Sequence, residues 1–235
     1  MRTNNLPRRA PRLMRWIELK LLRKIDGFNI EMMDVRHITD SIFPQVQQFK
    51  DEEHTEIELR FGKFNGNMFD TNLGKAQFDS IMNGLSKYTE WDQIIGTEQE
   101  VFYRECDGVR ITTEEATGEE TIVRKERVMN QDFKQIENVP YDLRFSISKE
   151  IPLPEDTDRE MDKKRTKKRI SFVRKNVSID MTICTGDTHD MDAEDSHTYQ
   201  IEFEIVDPTR VKTKDDLFKI LHKVNDVFIM LRNTR

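Results

Sequence analysis

The 235-residue sequence has no long apolar run. Its hydrophobic stretches last only a few positions, far short of the about 20 residues a membrane-spanning helix needs, so no membrane partner is expected. Cysteine is almost missing: Cys106 and Cys184 are the only two, which excludes a disulfide framework and a cysteine-based zinc site. Neither cysteine is followed by an arginine at the spacing of a cysteine-phosphatase loop, and no glycine-rich loop ends in Lys-Ser/Thr, so a P-loop is absent. With no signal peptide visible, a reducing intracellular compartment is the expectation. Positive charge is not in excess: 38 Lys+Arg face 44 Asp+Glu, a net of −6. That argues against a broadly basic nucleic-acid coat but leaves room for a phosphate in a local basic site. What the chain does have is charge of both signs, 35% of residues against 36% hydrophobic. No repeat of fixed period is visible.

The charge is unevenly placed. Residues 1–25 hold eight Lys/Arg and one acid, Glu18, which leaves 30 bases and 43 acids in the rest. A basic arm, Arg2 to Arg12, leads into a short stretch in which Leu13, Trp16, Ile17, Leu21 and Ile25 have helical spacing. Three readings stand for this segment: an RNA or partner contact, an Arg-rich mitochondrial presequence, or a helix packing its apolar face on the main domain. The division expected is 1–28 as arm and short helix, and 29–235 as the main domain.

Helical spacing recurs at 33–50 (Val35, Ile38, Ile42, Phe43, Val46, Phe49), at 70–88 (Phe78, Ile81, Met82, Leu85) and near the end. There Thr213 is placed to cap a helix, Asp215 and Asp216 suit its positive end, and Leu217, Ile220, Leu221, Val224, Phe228 and Leu231 form a stripe. Between these, period-two segments at 55–62, 91–105, 109–114, 120–128, 143–150, 168–174, 177–184 and 198–206 predict eight strands. Asp107-Gly108 and Thr117-Gly118 suit tight hairpins. The fold class expected is α+β, mostly β: an eight-stranded antiparallel sheet that closes as a barrel to remove its edges, with flanking helices.

The alternation places charge where a barrel would hold its filling. In 55–62, Ile57, Leu59 and Phe61 share one face and Glu56, Glu58 and Arg60 the other; in 200–205, Glu202 and Glu204 share a face. A sheet with one solvated face would look like this too. The other strands shift the balance. Lys125 and Arg127 share a face, as do Arg144, Ser146, Ser148 and Glu150, as do Lys167, Arg169 and Ser171, and as do Asp180 and Thr182. A lumen lined this way is a polar tunnel. Carboxylates gathered by two strands repel one another and rise in pKa unless a cation sits among them. Oxygen-only ligands favour Mg²⁺ or Mn²⁺, and facing bases would hold a polyanion. Metal, cationic clamp and a carboxylate-oriented water suit phosphoryl hydrolysis.

These segments resemble a family. The pair EIELRFG (56–62) and IEFEI (201–205), with VRITT (109–113), IVRKERV (122–128), DLRFSISKE (142–150), KKRISF (167–172) and SIDMT (178–182) between them in order, is similar to the metal-dependent RNA 5′-triphosphatases of fungi, protozoa and large DNA viruses, members of the triphosphate tunnel metalloenzymes. The resemblance spans about 55–206. It implies an eight-stranded tunnel that removes the γ-phosphate from triphosphate-ended RNA, the first step of mRNA capping, with Mg²⁺ or Mn²⁺ and NTP hydrolysis as a side activity. It implies Glu56, Glu58 and Glu204 as metal ligands and Glu202 as the group orienting water. It implies Arg110, Lys125, Lys167 and Arg169 as phosphate-binding bases, with Glu150, Asp180 and Thr182 bracing them, and Arg60 and Arg127 as further phosphate-binding or bracing residues. Many members carry a third glutamate where this chain has Gln200, which bears no charge. A one-residue slip in 120–128 would replace Lys125 and Arg127 by Arg124 and Glu126. Implied partners are the RNA end, an NTP, and a guanylyltransferase or the rest of a larger capping enzyme; the implied location is the nucleus, or cytoplasm or virion for a virus. Two alternatives share the lining: a tripolyphosphatase or small-molecule triphosphate hydrolase, and a non-catalytic polyanion-binding barrel that has no need of Glu202.

The remaining features read plainly. Residues 185–197 hold five acids and two histidines but lack EF-hand spacing, and are expected to be a solvated hairpin loop. In 155–169, Lys167 and Arg169 are expected to enter a strand and the remainder to be a loop. His54 is expected to be structural, and both cysteines to be ordinary strand residues.

Overall fold

In the computed structural model the period-two segments form strands and the 3.6-period segments form helices. The structure describes residues 34–136, 140–155, 157–186 and 197–232. The basic arm and amphipathic stretch of 1–28, and most of the acidic loop 185–197, lie outside the described residues. Helix α1 is Val35–Phe49, followed by β1 (Thr55–Asn65), β2 (Met68–Asp70), α2 (Lys75–Ser86), β3 (Gln93–Arg104), β4 (Val109–Glu114), β5 (Glu120–Phe133), β6 (Asp142–Pro152), β7 (Lys163–Arg174), β8 (Val177–Thr185), β9 (His197–Glu204) and α3 (Lys214–Arg232).

The sheet order is β2-β1-β6-β5-β4-β3-β7-β8-β9, and β9 pairs back onto β1, so eight strands close an antiparallel barrel while β2 stands on β1 as a short hairpin arm. Two hairpins turn at Gly108 (φ 74°) and Gly118 (φ 71°), where a side chain would be strained. Asp34 caps α1 by accepting from the His37 amide at 2.9 Å. Thr213 and Asp216 cap α3 reciprocally: the Asp216 amide donates to Thr213 Oγ1 at 3.3 Å and the Thr213 amide to Asp216 Oδ2 at 2.9 Å.

The apolar faces of β1, β6, β8 and β9 point outward. Ile57, Leu59 and Phe61, Leu143, Phe145 and Ile147, Ile179 and Met181, and Ile201 and Phe203 are buried there with Ile42 and Val46 of α1, Ile81 and Leu85 of α2, and Leu221, Val224 and Phe228 of α3. Phe61 stacks on Phe228 with centroids 4.0 Å apart and meets Phe203 at 5.0 Å. The hydrophobic core therefore lies between barrel and helices, and the lumen is left to polar groups. Among the described residues no helix is long and apolar enough to cross a membrane.

Four sequence expectations change. Strand β7 begins at Lys163, so part of the expected 155–169 loop is strand. Strand β5 runs to Phe133 through an irregularity between Arg127 and Met129. Helix α2 starts at Lys75, because 71–74 are irregular and Gly74, just before it, has a φ of 78°. Cys106 is exposed in the β3–β4 turn rather than in a strand, while Cys184 is buried in β8.

Candidate active site

Register fixes which side chains share the lumen. Glu58 pairs with Glu204 and Arg60 with Glu202 where β1 meets β9; Glu56 and Glu58 pair with Ser148 and Ser146 of β6; Lys125 pairs with Glu150. Across β8, Asp180 pairs with Glu202 and Ser171, and Thr182 with Gln200 and Arg169. The 120–128 register is settled in favour of Lys125. Arg124 and Glu126 bond to each other at 2.8 Å on the outside.

The acids and bases of the inner wall interlock. Glu202 accepts from Arg169 at 3.1 Å and lies 3.6 Å from Arg60 Nε. Arg169 also donates to Asp180 at 3.2 Å and, through Nε, to Thr182 Oγ1 at 3.0 Å. Glu56 accepts from Ser148 at 2.8 Å and pairs with Lys125, which lies 3.3 Å from Glu150. Arg110 lies 3.4 Å from the same Glu150, and Arg60 pairs with Glu58. A cavity of about 470 Å³ opens beside these groups, lined in part by Glu58, Arg60, Arg110, Lys125 and Arg127.

Position sets the proton affinity of each carboxyl. Burial alone would raise Glu202, but Arg60, then Arg169, Lys167 and Lys125, outweigh it and hold the group at about 2. Glu204 goes the other way. Burial, then the charges of Glu56 and Asp180, push it up to about 7. Burial and Glu202 raise Glu58 too; Glu56 is lowered because Lys125 and Ser148 outweigh its burial. Two carboxyls two residues apart on one strand thus differ in proton affinity in opposite directions.

The metal, phosphate-binding and bracing residues expected from the sequence share the inward faces of their strands, but Glu56, Glu58 and Glu204 are not drawn into one ligand shell. Among the described residues no group of three or more His, Cys, Asp or Glu is arranged to hold a metal, because Lys125 engages Glu56 and Arg60 engages Glu58. The donor chemistry nevertheless fits a hard divalent cation. The three carboxyls share one wall, and Glu204, which makes no ion pair or side-chain hydrogen bond with another described residue, keeps its proton to about 7 among like charges. A cation placed there would remove that repulsion.

Three wall residues escaped the sequence reading. Lys163 and Arg165 continue the inward alternation of Lys167 and Arg169 and line the cavity. Tyr103 of β3 stands among cations, with Arg110, Arg165 and Lys167 at 5.4, 5.6 and 5.9 Å from its ring centre. The alternation Lys163-x-Arg165-x-Lys167-x-Arg169 was the signal for the first two. Gln200 faces the lumen beside Cys184, whose Sγ lies 3.7 Å from the amide oxygen. His54 is exposed at φ 61° in the turn before β1.

Residues 75–233 match the family described as mRNA capping enzyme, beta chain, the mRNA triphosphatases. The chain belongs to this family. As a member it is an RNA 5′-triphosphatase of the capping type, and its fold agrees. The triphosphatase superposes on the S. pombe Pct1 RNA triphosphatase with a TM-score of 0.65 at 18% identity, over 84% of this chain and 92% of the other. Pct1 solved in complex with the Spt5 CTD gives the same TM-score at 19% identity and the same coverage. No curated protein matches the triphosphatase by sequence. Strand β1 precedes the matched stretch, so its two glutamates rest on alternation and on register with β6 and β9.

Proposed function

We propose that this triphosphatase is metal-dependent, that it hydrolyses the γ-phosphate of triphosphate-ended RNA inside the tunnel, and that it accepts free NTPs as a side activity. The observation that carries the reading is the setting of Glu202: a half-buried carboxylate held ionised between Arg60 and Arg169, two positions before Glu204 on the same inward face.

Glu56, Glu58 and Glu204 would hold the ion, Mg²⁺ or Mn²⁺. When bound it supplies Lewis-acid polarisation of a phosphoryl oxygen. The chain's own residues do the rest. Arg110, Lys125, Lys167 and Arg169, with Arg60 and Arg127, give a cationic wall for the phosphate oxygens. Glu150, Asp180 and Thr182 fix the directions of Arg110, Lys125 and Arg169 through the contacts described above. Glu202, at about 2, is a weak proton acceptor at neutral pH. It works by accepting a hydrogen bond from the attacking water and so aligning it. A guanylyltransferase, or the rest of a larger capping enzyme, is the partner that takes up the diphosphate end, and the setting is an intracellular one.

The test is release of labelled phosphate from γ-labelled triphosphate-ended RNA with Mg²⁺, with Mn²⁺ and in EDTA. Release only with metal supports the reading. Metal-independent release refutes the metal dependence, and no release by any arm refutes the hydrolysis. Equal rates on RNA and on inorganic tripolyphosphate would favour the tripolyphosphatase alternative.

A further inference from the structure

The cavity has an aromatic end that phosphate chemistry does not explain. Glu56, Glu58 and Arg60 are followed on the same inward face by Gly62 and Phe64. A Cβ at Gly62 would meet Phe69 Cζ at 2.7 Å and the Asp70 carbonyl at 2.4 Å. The missing side chain is therefore what lets the β2 arm lay the Phe69 ring over Gly62, where it lines the cavity with Thr71 and Arg144. Phe64 and Phe69 are cross-strand partners with ring centres 5.1 Å apart. Both are half-buried, and neither belongs to the hydrophobic core.

Cations cover these rings. The Arg144 guanidinium carbon lies 4.4 Å from the Phe69 centroid, and Lys134 Nζ lies 3.7 Å from that of Phe64. Arg144 is held in place by two bonds to Asp132, at 2.7 and 3.0 Å. An inorganic polyphosphate needs only the bases gathered around Glu58, Glu150 and Glu202. A fixed ring and a fixed guanidinium in the same cavity lining suit a nucleobase, which stacks on aromatic faces and arginine planes.

Resting on the hydrolytic reading above, we propose that the first nucleoside of the substrate leaves the tunnel past the β1–β2 arm, its base stacked on the Phe69–Arg144 pair. Phe69 is then a binding residue for the nucleoside and has no part in holding the phosphates. The chain separates RNA from inorganic polyphosphate at this point. Gly62 is the position that makes the stack possible.

The experiment is equilibrium binding in EDTA, where the substrate persists, using a fluorescent 5′-triphosphate RNA pentamer and competition by inorganic tripolyphosphate. Phe69→Ala and Phe69→Leu should weaken RNA binding about 5- to 100-fold and leave tripolyphosphate within twofold; Phe69→Trp should bind RNA as the wild type does. Leucine fills the space over Gly62 without an aromatic face, so wild-type RNA binding by Phe69→Leu overturns the proposal. Equal weakening of both ligands, or of neither, overturns it as well. Wild-type protein that binds neither ligand refutes the polyphosphate tunnel itself, a different outcome from loss of the base stack alone.

Discussion

Arg60 and Glu202 are register partners on the seam where the last strand closes onto the first, with Arg60 Nε 3.6 Å from the Glu202 carboxylate. Closing the barrel therefore adds Arg60 to the Arg169 that already holds the Glu202 carboxylate across β8. Unless β9 meets β1, Glu202 loses Arg60, the largest of the charges that lower its proton affinity.

That placement makes Glu202→Gln informative. The amide keeps a hydrogen-bond acceptor and the shape but loses the charge. We expect kcat to fall about 10²-fold, the cost of a misplaced reactant, with KM little changed. A Mn²⁺ titration of the variant should stay flat; recovery at high Mn²⁺ would make Glu202 a metal ligand instead.

Arg169 holds Glu202, Asp180 and Thr182 at once. Arg169→Ala should lower kcat about 10²–10³-fold, the cost of removing one preorganised donor. Arg169→Lys should recover only part of that, since one ammonium cannot reproduce three fixed directions. Phosphate-release assays on the two variants decide this, and full activity in the alanine variant would mean the basic wall has been misassigned.

Glu204 gives a pH signature. Its ordinary value of 4.5 rises to about 7 in the fold, so the metal-free protein binds a proton that the unfolded chain releases. Its contribution to stability is full below pH 4.5 and is lost as pH rises through 7. Glu202 contributes in the opposite sense, present above 4.5 and lost as pH falls toward 2. Melting curves in EDTA should show the decline between 4.5 and 7 flattened in Glu204→Gln, by about 2–4 °C for each kcal/mol involved. Calorimetry with Mg²⁺ should register most of a proton released at pH 6 and little at pH 9.

Alanine at Glu56, Glu58 or Glu204 should abolish metal-dependent hydrolysis while circular dichroism stays that of the folded protein. Phe61→Ala should do the reverse in kind: it removes a ring packed between Phe203 and Phe228 and should cost about 3–5 kcal/mol, read by chemical denaturation.

Much of this was legible in the chain because one-sided strands advertise themselves. Glu56-Ile57-Glu58-Leu59-Arg60-Phe61 and Gln200-Ile201-Glu202-Phe203-Glu204 write lumen and core in alternate letters, and both register and burial follow them. The start of β7 did not advertise itself. Its outer face carries Lys164 and Lys168, which pair with Glu100 and Glu98 of β3 rather than with a helix, so both faces are charged and the alternation vanishes. The break after Arg127 hides for a similar reason: one extra residue changes the face of everything after it. The ligand shell was least legible. Sequence puts three glutamates on one wall, but which cation each engages is a matter of rotamers, and here lysine and arginine claim two of them.

The separation of an apolar outer wall from a charged lumen has a genetic consequence. Substitutions that silence the lumen remove no side chain of the packing between barrel and helices, so many of the resulting chains should fold, accumulate and meet the same RNA ends as active ones. In a cell making both, such alleles should interfere with the working copy, whereas alleles that break the outer wall should simply be cleared.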